Sequence, residues 1–491
     1  MQTLPLTRRV LWLLVLASAG AGATAAAQAA NTEPTPCRLR GIEYQALCGS
    51  TQRPLDPAHP QATQIAVHYA VLPALARSKQ PDPIFFFAGG PGQSAIDIAP
   101  AVAAMLSRFS NRRDIVVIDQ RGTGRSAPLM CDEDDPALPL AELFSLERHR
   151  ERLAVCLVRL KALPYGDLRF FTTTLAMQDA DAVRAALGVQ RINIIGGSYG
   201  TRAVLEYQRQ FPERVRRAVI DGVAPPDMVL PAAFSTDNQT ALDALFAACA
   251  EEAGCVVREP RLRERWQALL ASLPRTIELR HPLTDRKERL SLTRDMLLGM
   301  VRGPLYVPAL AAALPAALGE ATRGRFDSLA GLAQAFGGRR GLRVAAGMHF
   351  SVVCAEDFPR LAQAADRPGA DFGDSFLALY RDVCAQWPRG EVPPAFYMLP
   401  PAPAATLVLS GGLDPVTPPR HGERVAKALG ANARHVVVAN AGHGVMTIGC
   451  MRDVLFRFVD AADDNSALNV DAGCVTGIPR PPMFALPGAG Q

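Results

Sequence analysis

Three observations predict an α/β fold, with a mostly parallel sheet, helices on both faces and a large inserted helical lid. Short apolar runs alternate with helical patterns along the chain. A Gly-x-Ser-x-Gly turn joins one such run to the helix that follows it. The strand series then stops for roughly 180 residues and resumes near the C-terminus, too long a gap for an ordinary loop.

The first residues read as an export signal and not as fold. Arg8 and Arg9 precede an apolar stretch over 10–16, and Ala27-Gln28-Ala29 supplies the small-x-small pattern of a cleavage site, which predicts a signal peptide over 1–29. Thr7-Arg8-Arg9 leaves twin-arginine export open as the route. The apolar stretch is too short for an anchor, and no later run reaches about eighteen apolar residues, so the mature chain is expected to be soluble, periplasmic or secreted, without a membrane span. Lys and Arg number 52 against 47 Asp and Glu, with no run of like charge, which argues against a nucleic-acid partner. Ten cysteines in an exported chain predict disulfides. Pairing neighbours gives Cys37/Cys48, Cys131/Cys156, Cys249/Cys255, Cys354/Cys384 and Cys450/Cys474, one of ~900 possible connectivities. No tight Cys-x-x-Cys pair occurs, which disfavours zinc, and no metal or cofactor is expected.

The first part of the core is placed at 37–225. Its strand-like runs are 84–87, 114–118, 192–195 and 215–220, with helical patterns at 178–187 and 202–210. An alternating run at 63–72 reads as an antiparallel edge strand. The segment 226–403 reads as the lid, with helical patterns at 241–249, 263–273 and 309–318 and a Pro-rich return linker at 392–403. Runs at 406–409 and 435–438 resume the sheet, placing the second part of the core at 404–480.

Gly196-Gly197-Ser198-Tyr199-Gly200 is the turn between run 192–195 and the helix after it. A turn this sharp exposes the serine hydroxyl in a strained conformation, and glycines two residues before and after let strand and helix approach. A serine hydroxyl is a weak nucleophile and needs a base, itself oriented by an acid. His443, in Asn440-Ala441-Gly442-His443-Gly444, follows the last strand among small residues. His435 begins that strand, at the wrong end; His421 reads as a solvated helix residue; His281 and His349 fall in the lid. Asp414 follows the preceding strand, held extended by Pro415. Asp221 is the rival acid. The expected catalytic set is therefore Ser198, Asp414 and His443. The expected oxyanion donors are the backbone N–H groups of Tyr199 and of Gly90, in the loop Ala88-Gly89-Gly90-Pro91-Gly92-Gln93-Ser94. No Gly-Lys-Ser/Thr follows, so this loop does not read as a phosphate cradle.

Gly89-Gly90-Pro91-Gly92, Asp119-Gln120-Arg121-Gly122-Thr123-Gly124-Arg125-Ser126 and the Ser198 turn resemble the α/β-hydrolase serine peptidases of the proline iminopeptidase and tripeptidyl aminopeptidase family. Asp221-Gly222-Val223 and the loops of Asp414 and His443 are similar to its exported, tripeptidyl-aminopeptidase-like branch. The resemblance runs from about Cys37 to Cys474. It implies an aminopeptidase that removes N-terminal residues, at or near proline, through an acyl-enzyme, with peptides bearing a free N-terminus as partners. Ala88 stands where many proline iminopeptidases have His, and an esterase using the same triad is the second expectation. Asp119 and Arg121 are expected to pair and brace the loops around Ser198. An aminopeptidase needs an anion for the substrate ammonium, and the expectation falls on Glu356, with Asp357 beside it, next to Cys354.

Overall fold

The computed structural model describes residues 32–337 and 343–484; the expected signal peptide lies outside the described residues. The main sheet has nine strands, and a hairpin is built in between them in sequence. In chain order they are β1 (Thr32–Cys37), β2 (Ala46–Pro54), β3 (Gln64–Leu72), β4 (Ile84–Phe87), β5 (Ile115–Ile118), β6 (Ile192–Gly197), β7 (Val215–Asp221), the hairpin β8 (Arg275–Arg280) and β9 (Lys287–Leu292), then β10 (Thr406–Gly411) and β11 (Ala433–Val438). The sheet order is β1-β2-β3-β5-β4-β6-β7-β10-β11. Pairing is parallel from β5 through β11 and antiparallel from β1 to β5.

The central strands are apolar at nearly every position because both faces of the sheet are covered. In β4, Phe85 and Phe87 enter one core, with Tyr207 and Val204 of the helix Tyr199–Gln210, while Ile84 and Phe86 enter the opposite core. The parallel pairing puts the carboxyl ends of β4, β6, β7, β10 and β11 along one rim, where Asp221 ends β7 and Gly89, Ser198, Asp414 and His443 follow their strands.

Two expectations about these elements need correction. Run 63–72 is antiparallel but not an edge: β3 lies between β2 and β5, and β1 and β2, poor in β-branched residues, form the flank. The pattern at 309–318 is two helices, Pro308–Ala311 and Leu314–Thr322, since Pro315 falls in the first turn of the second, where its missing N–H costs nothing. Between β7 and β10 the chain is helical apart from the β8–β9 hairpin, and its own core gathers around Trp266, Leu298 and Phe326. Five disulfides join the neighbouring cysteines in the pairs expected, with Cys354–Cys384 tying two helices of this segment.

Asp119 and Arg121 do not pair with each other. The buried Asp119 carboxylate accepts from Ser94 Oγ at 2.6 Å and from the N–H groups of Ile96 and Arg125. A side chain on Gly124 would collide with it, which is why glycine stands there. Arg121 turns the opposite way, forms a two-pronged bond to Asp179 at 2.7 and 2.9 Å, and donates to the carbonyls of Leu55 and Phe170. Both partners of that ion pair are 1% exposed. Removing one leaves a buried charge uncompensated, so Asp179→Ala is expected to lose about 3–5 kcal/mol of stability, read from the urea midpoint.

Candidate active site

Ser198 has φ 56° and ψ −126°, a left-handed conformation that a non-glycine residue holds only under constraint. The constraint is visible on both sides. A methyl on Gly196 would meet the carbonyl of Gly200, and one on Gly200 would meet the carbonyl of Phe87, so strand and helix cross here as closely as backbones can. The Ser198 N–H donates to Asp221 O at 2.9 Å, and Thr201 donates to the Ser198 carbonyl through N–H and hydroxyl. Tyr199 opens the helix, so its N–H is one of the donors that the helix itself leaves unpaired.

His443 sits on the loop after β11. Its N–H donates to Tyr306 O at 3.1 Å, and its ring meets the Tyr306 ring edge-on at 5.3 Å. Its Nδ1 donates to Asp414 Oδ2 at 2.8 Å, which leaves Nε2 as the acceptor. Asp414 is fixed in turn: Oδ1 accepts from the N–H groups of Val416 and Thr417, and Oδ2 from the Thr417 hydroxyl at 2.7 Å. Burial alone would depress the imidazole, but the Asp414 carboxylate and its hydrogen bond outweigh that and hold His443 above its usual value. Burial would raise Asp414, and the same pair with the Thr417 bonds holds it below the usual carboxylate range.

Asp221 plays a different part. Its Oδ2 accepts from the N–H groups of Val445 and Met446, pinning the chain just beyond His443. Burial pushes its carboxyl up to about 6.

Two cavities meet at Ser198. The larger, about 550 Å³, is lined by Gly90, Ser198, Tyr199 and residues of the helical segment such as Arg302 and Tyr380. The other, about 460 Å³, is lined by Gly89, Gly90, Ser198, His443 and Met446. Gly90, Ser198, Tyr306 and Val344 line both. Among the described residues no hydrogen bond engages Ser198 Oγ; in unliganded hydrolases such nucleophile contacts are often long and tighten only when substrate is bound.

Glu356 and Asp357 do not reach either cavity. They are 1% and 0% exposed because Arg202, in the first turn after the serine, needs them. Arg202 donates to both oxygens of Asp357 at 3.0 Å and to Glu356 at 3.3 Å. Glu356 also accepts from the N–H and hydroxyl of Thr173, which in turn meets the Tyr199 hydroxyl at 2.7 Å. Burial pushes Glu356 up to about 7 despite the Arg202 charge. The pair therefore braces the serine turn instead of presenting an open anion. His421 is likewise buried, not solvated, and meets Asp237 at 2.9 Å. Sequence reasoning missed Arg202, Thr173, Thr417 and Tyr306. Arg202 carried a signal, since a charge on the apolar face shared with Ala203 and Tyr199 calls for a buried partner.

A family model described as alpha/beta hydrolase fold matches residues 82–447. The chain belongs to this family. It is similar to the serine protease Hip1 of Mycobacterium tuberculosis, 27% identical over 433 residues, covering 81% of this chain and 82% of the relative. A tripeptidyl aminopeptidase of Streptomyces coelicolor is 31% identical over 195 residues, 36% of this chain and 35% of the relative. Carboxylesterase B of Mycobacterium tuberculosis is 30% identical over 432 residues, 79% of this chain and 78% of the relative. For an alpha/beta hydrolase, the elbow serine, the acid after β10 and the histidine after β11 stand in the chain order that the fold uses.

Proposed function

We propose that this chain is an exported serine exopeptidase, an aminopeptidase with Ser198, His443 and Asp414 as catalytic triad, Gly90 and Tyr199 as oxyanion donors, and 226–403 as the lid over the cleft. The observation that carries this reading is Ser198 at the junction of two cavities, one of them walled by His443. His443 Nε2 takes the Ser198 proton as Oγ attacks the scissile carbonyl. The oxyanion forms against the two N–H groups, and His443 returns the proton to the departing amine. The leaving group therefore departs on the His443 side, and the acyl part occupies the larger cavity. Water then repeats the sequence on the acyl-enzyme. Relatives named as a serine protease and a tripeptidyl aminopeptidase support peptide substrates. Five disulfides support export, and no described helix is long and apolar enough to cross a membrane.

The test is release of arylamine from peptidyl arylamides with a free N-terminus, and its loss on N-acetylation. The carboxylesterase relative favours a second reading, an esterase with the same triad. Turnover of acyl esters with indifference to a free amine would select it.

The pH profile follows from the base. His443 must be neutral to accept the proton, and its pairing with Asp414 raises the pH at which it loses its own. The acid limb of kcat/KM is expected to have its midpoint above the ordinary imidazole value of about 6.5. A limb centred below that value would contradict the Asp414–His443 coupling.

A further inference from the structure

The larger cavity carries a charge that the hydrolytic machinery does not use. Helix Arg294–Leu305 runs along it, and Asp295, Met296, Gly299 and Arg302 line it at helical spacing. Tyr306, just past this helix, lines it beside Ser198 and is held against His443 through its carbonyl and ring. The C-terminal end of the helix is thus the chemical end. Asp295 lies eleven residues back from Tyr306, about 16 Å of helix rise.

Among the described residues that line this cavity, Asp295 is the single carboxylate, and no hydrogen bond or ion pair engages it. Of the other charged or titratable groups facing the cavity, Arg202 is neutralised by Glu356 and Asp357. Burial holds the imidazoles of His149 and His349 below the ordinary value, His349 down to about 4. Arg302 lies over the rings of Phe234 and Phe376 at 4.9 and 4.8 Å, seven residues from Asp295, or about 10 Å along the helix. The lining therefore has an unpaired anion at the far end and a cation nearer the serine.

We propose that Asp295 receives the N-terminal ammonium of the bound peptide, so that the helix face from Asp295 to Tyr306 measures how many residues precede the scissile bond. This rests on the aminopeptidase reading and takes over the role first expected of Glu356. An extended chain advances at most ~3.3–3.6 Å per residue, so bridging the helix span takes at least about four or five residues. The reach of the Asp295 side chain shortens this to three or four. A single amino acid cannot touch both ends.

The experiment compares wild type with Asp295→Asn, which keeps the side-chain shape and removes the charge. The substrates are a tripeptidyl arylamide, its N-acetylated form, an aminoacyl arylamide and p-nitrophenyl acetate. Wild type is expected to prefer the tripeptidyl arylamide over the aminoacyl one. Asp295→Asn is expected to raise KM for the tripeptidyl arylamide by about tenfold or more, with kcat changed by less than about threefold. Acetate ester turnover and the N-acetylated peptide should respond equally in both proteins. Equal kinetics of the two proteins on the tripeptidyl arylamide, or an equal loss on the acetate ester, overturns the assignment to Asp295 while leaving the aminopeptidase reading intact. Wild type that turns over only the ester overturns the aminopeptidase reading, and the anchor with it.

Discussion

Ser198→Ala is expected to lower kcat on any substrate by about five to six orders of magnitude, with KM little changed. The size follows from the way the triad acts as a unit. Without Oγ there is no acyl-enzyme, and His443 and Asp414 have no proton to move. What remains is the oxyanion pair and the cleft, which still bind and polarise the carbonyl for attack by water. A Ser198→Ala/His443→Ala double variant should therefore lose little more than either single one, because each already disables the same step. The fold should tolerate the change, since alanine relieves none of the neighbours that fix φ at 56° and leaves the Ser198 N–H bond to Asp221 in place. Active-site titration with a serine-directed reagent, alongside single-turnover kinetics, reads the result. A variant that keeps full activity would place the chemistry elsewhere.

The parts of this molecule that were legible in the sequence are those set by local rules. Run 84–87 coincides with β4, and 192–195 and 406–409 fall inside β6 and β10, because apolar runs ended by glycine turns announce buried parallel strands. The serine turn was legible for the same reason: the glycines that permit it flank the residue it exposes. What escaped was pairing across the fold. Nothing local says that β1 and β2 extend the sheet beyond β3, because a strand's neighbours are chosen by tertiary contacts. Asp119 and Arg121 are two residues apart and of opposite charge, and strand alternation would set them on one side, yet β5 ends at Ile118 and the chain turns at Arg121, and their partners, Ser94 and Asp179, lie 25 and 58 residues away. Glu356 and Asp357 were read as an open anion because Arg202, 154 residues upstream of Glu356, was not seen as the charge they neutralise.

The second large effect separates the two acids near the histidine. Asp414→Asn is expected to cost on the order of 10⁴ in kcat, while Asp221→Asn should cost less than about tenfold. Both are buried carboxylates at strand ends, so burial alone does not rank them. The hydrogen bonds do. Asp414 Oδ1 takes the N–H groups of Val416 and Thr417, so an asparagine there must turn its carbonyl oxygen toward them. Its NH2 then faces His443 Nδ1 and the Thr417 hydroxyl. A donor opposite Nδ1 forces the ring proton onto Nε2, and the base loses the lone pair that would accept the Ser198 proton. At Asp221 the bonds are two backbone N–H groups on Oδ2, which an asparagine oxygen accepts equally well, so the loop after His443 keeps its place. The carboxylate there is already disfavoured by burial, which is why its pKa is pushed up to about 6, and losing the charge removes little that the imidazole uses. Measuring kcat and the acid limb of kcat/KM for both variants decides the matter. A comparable or larger loss at Asp221 would transfer the orienting role to it and leave the Asp414–His443 bond as architecture.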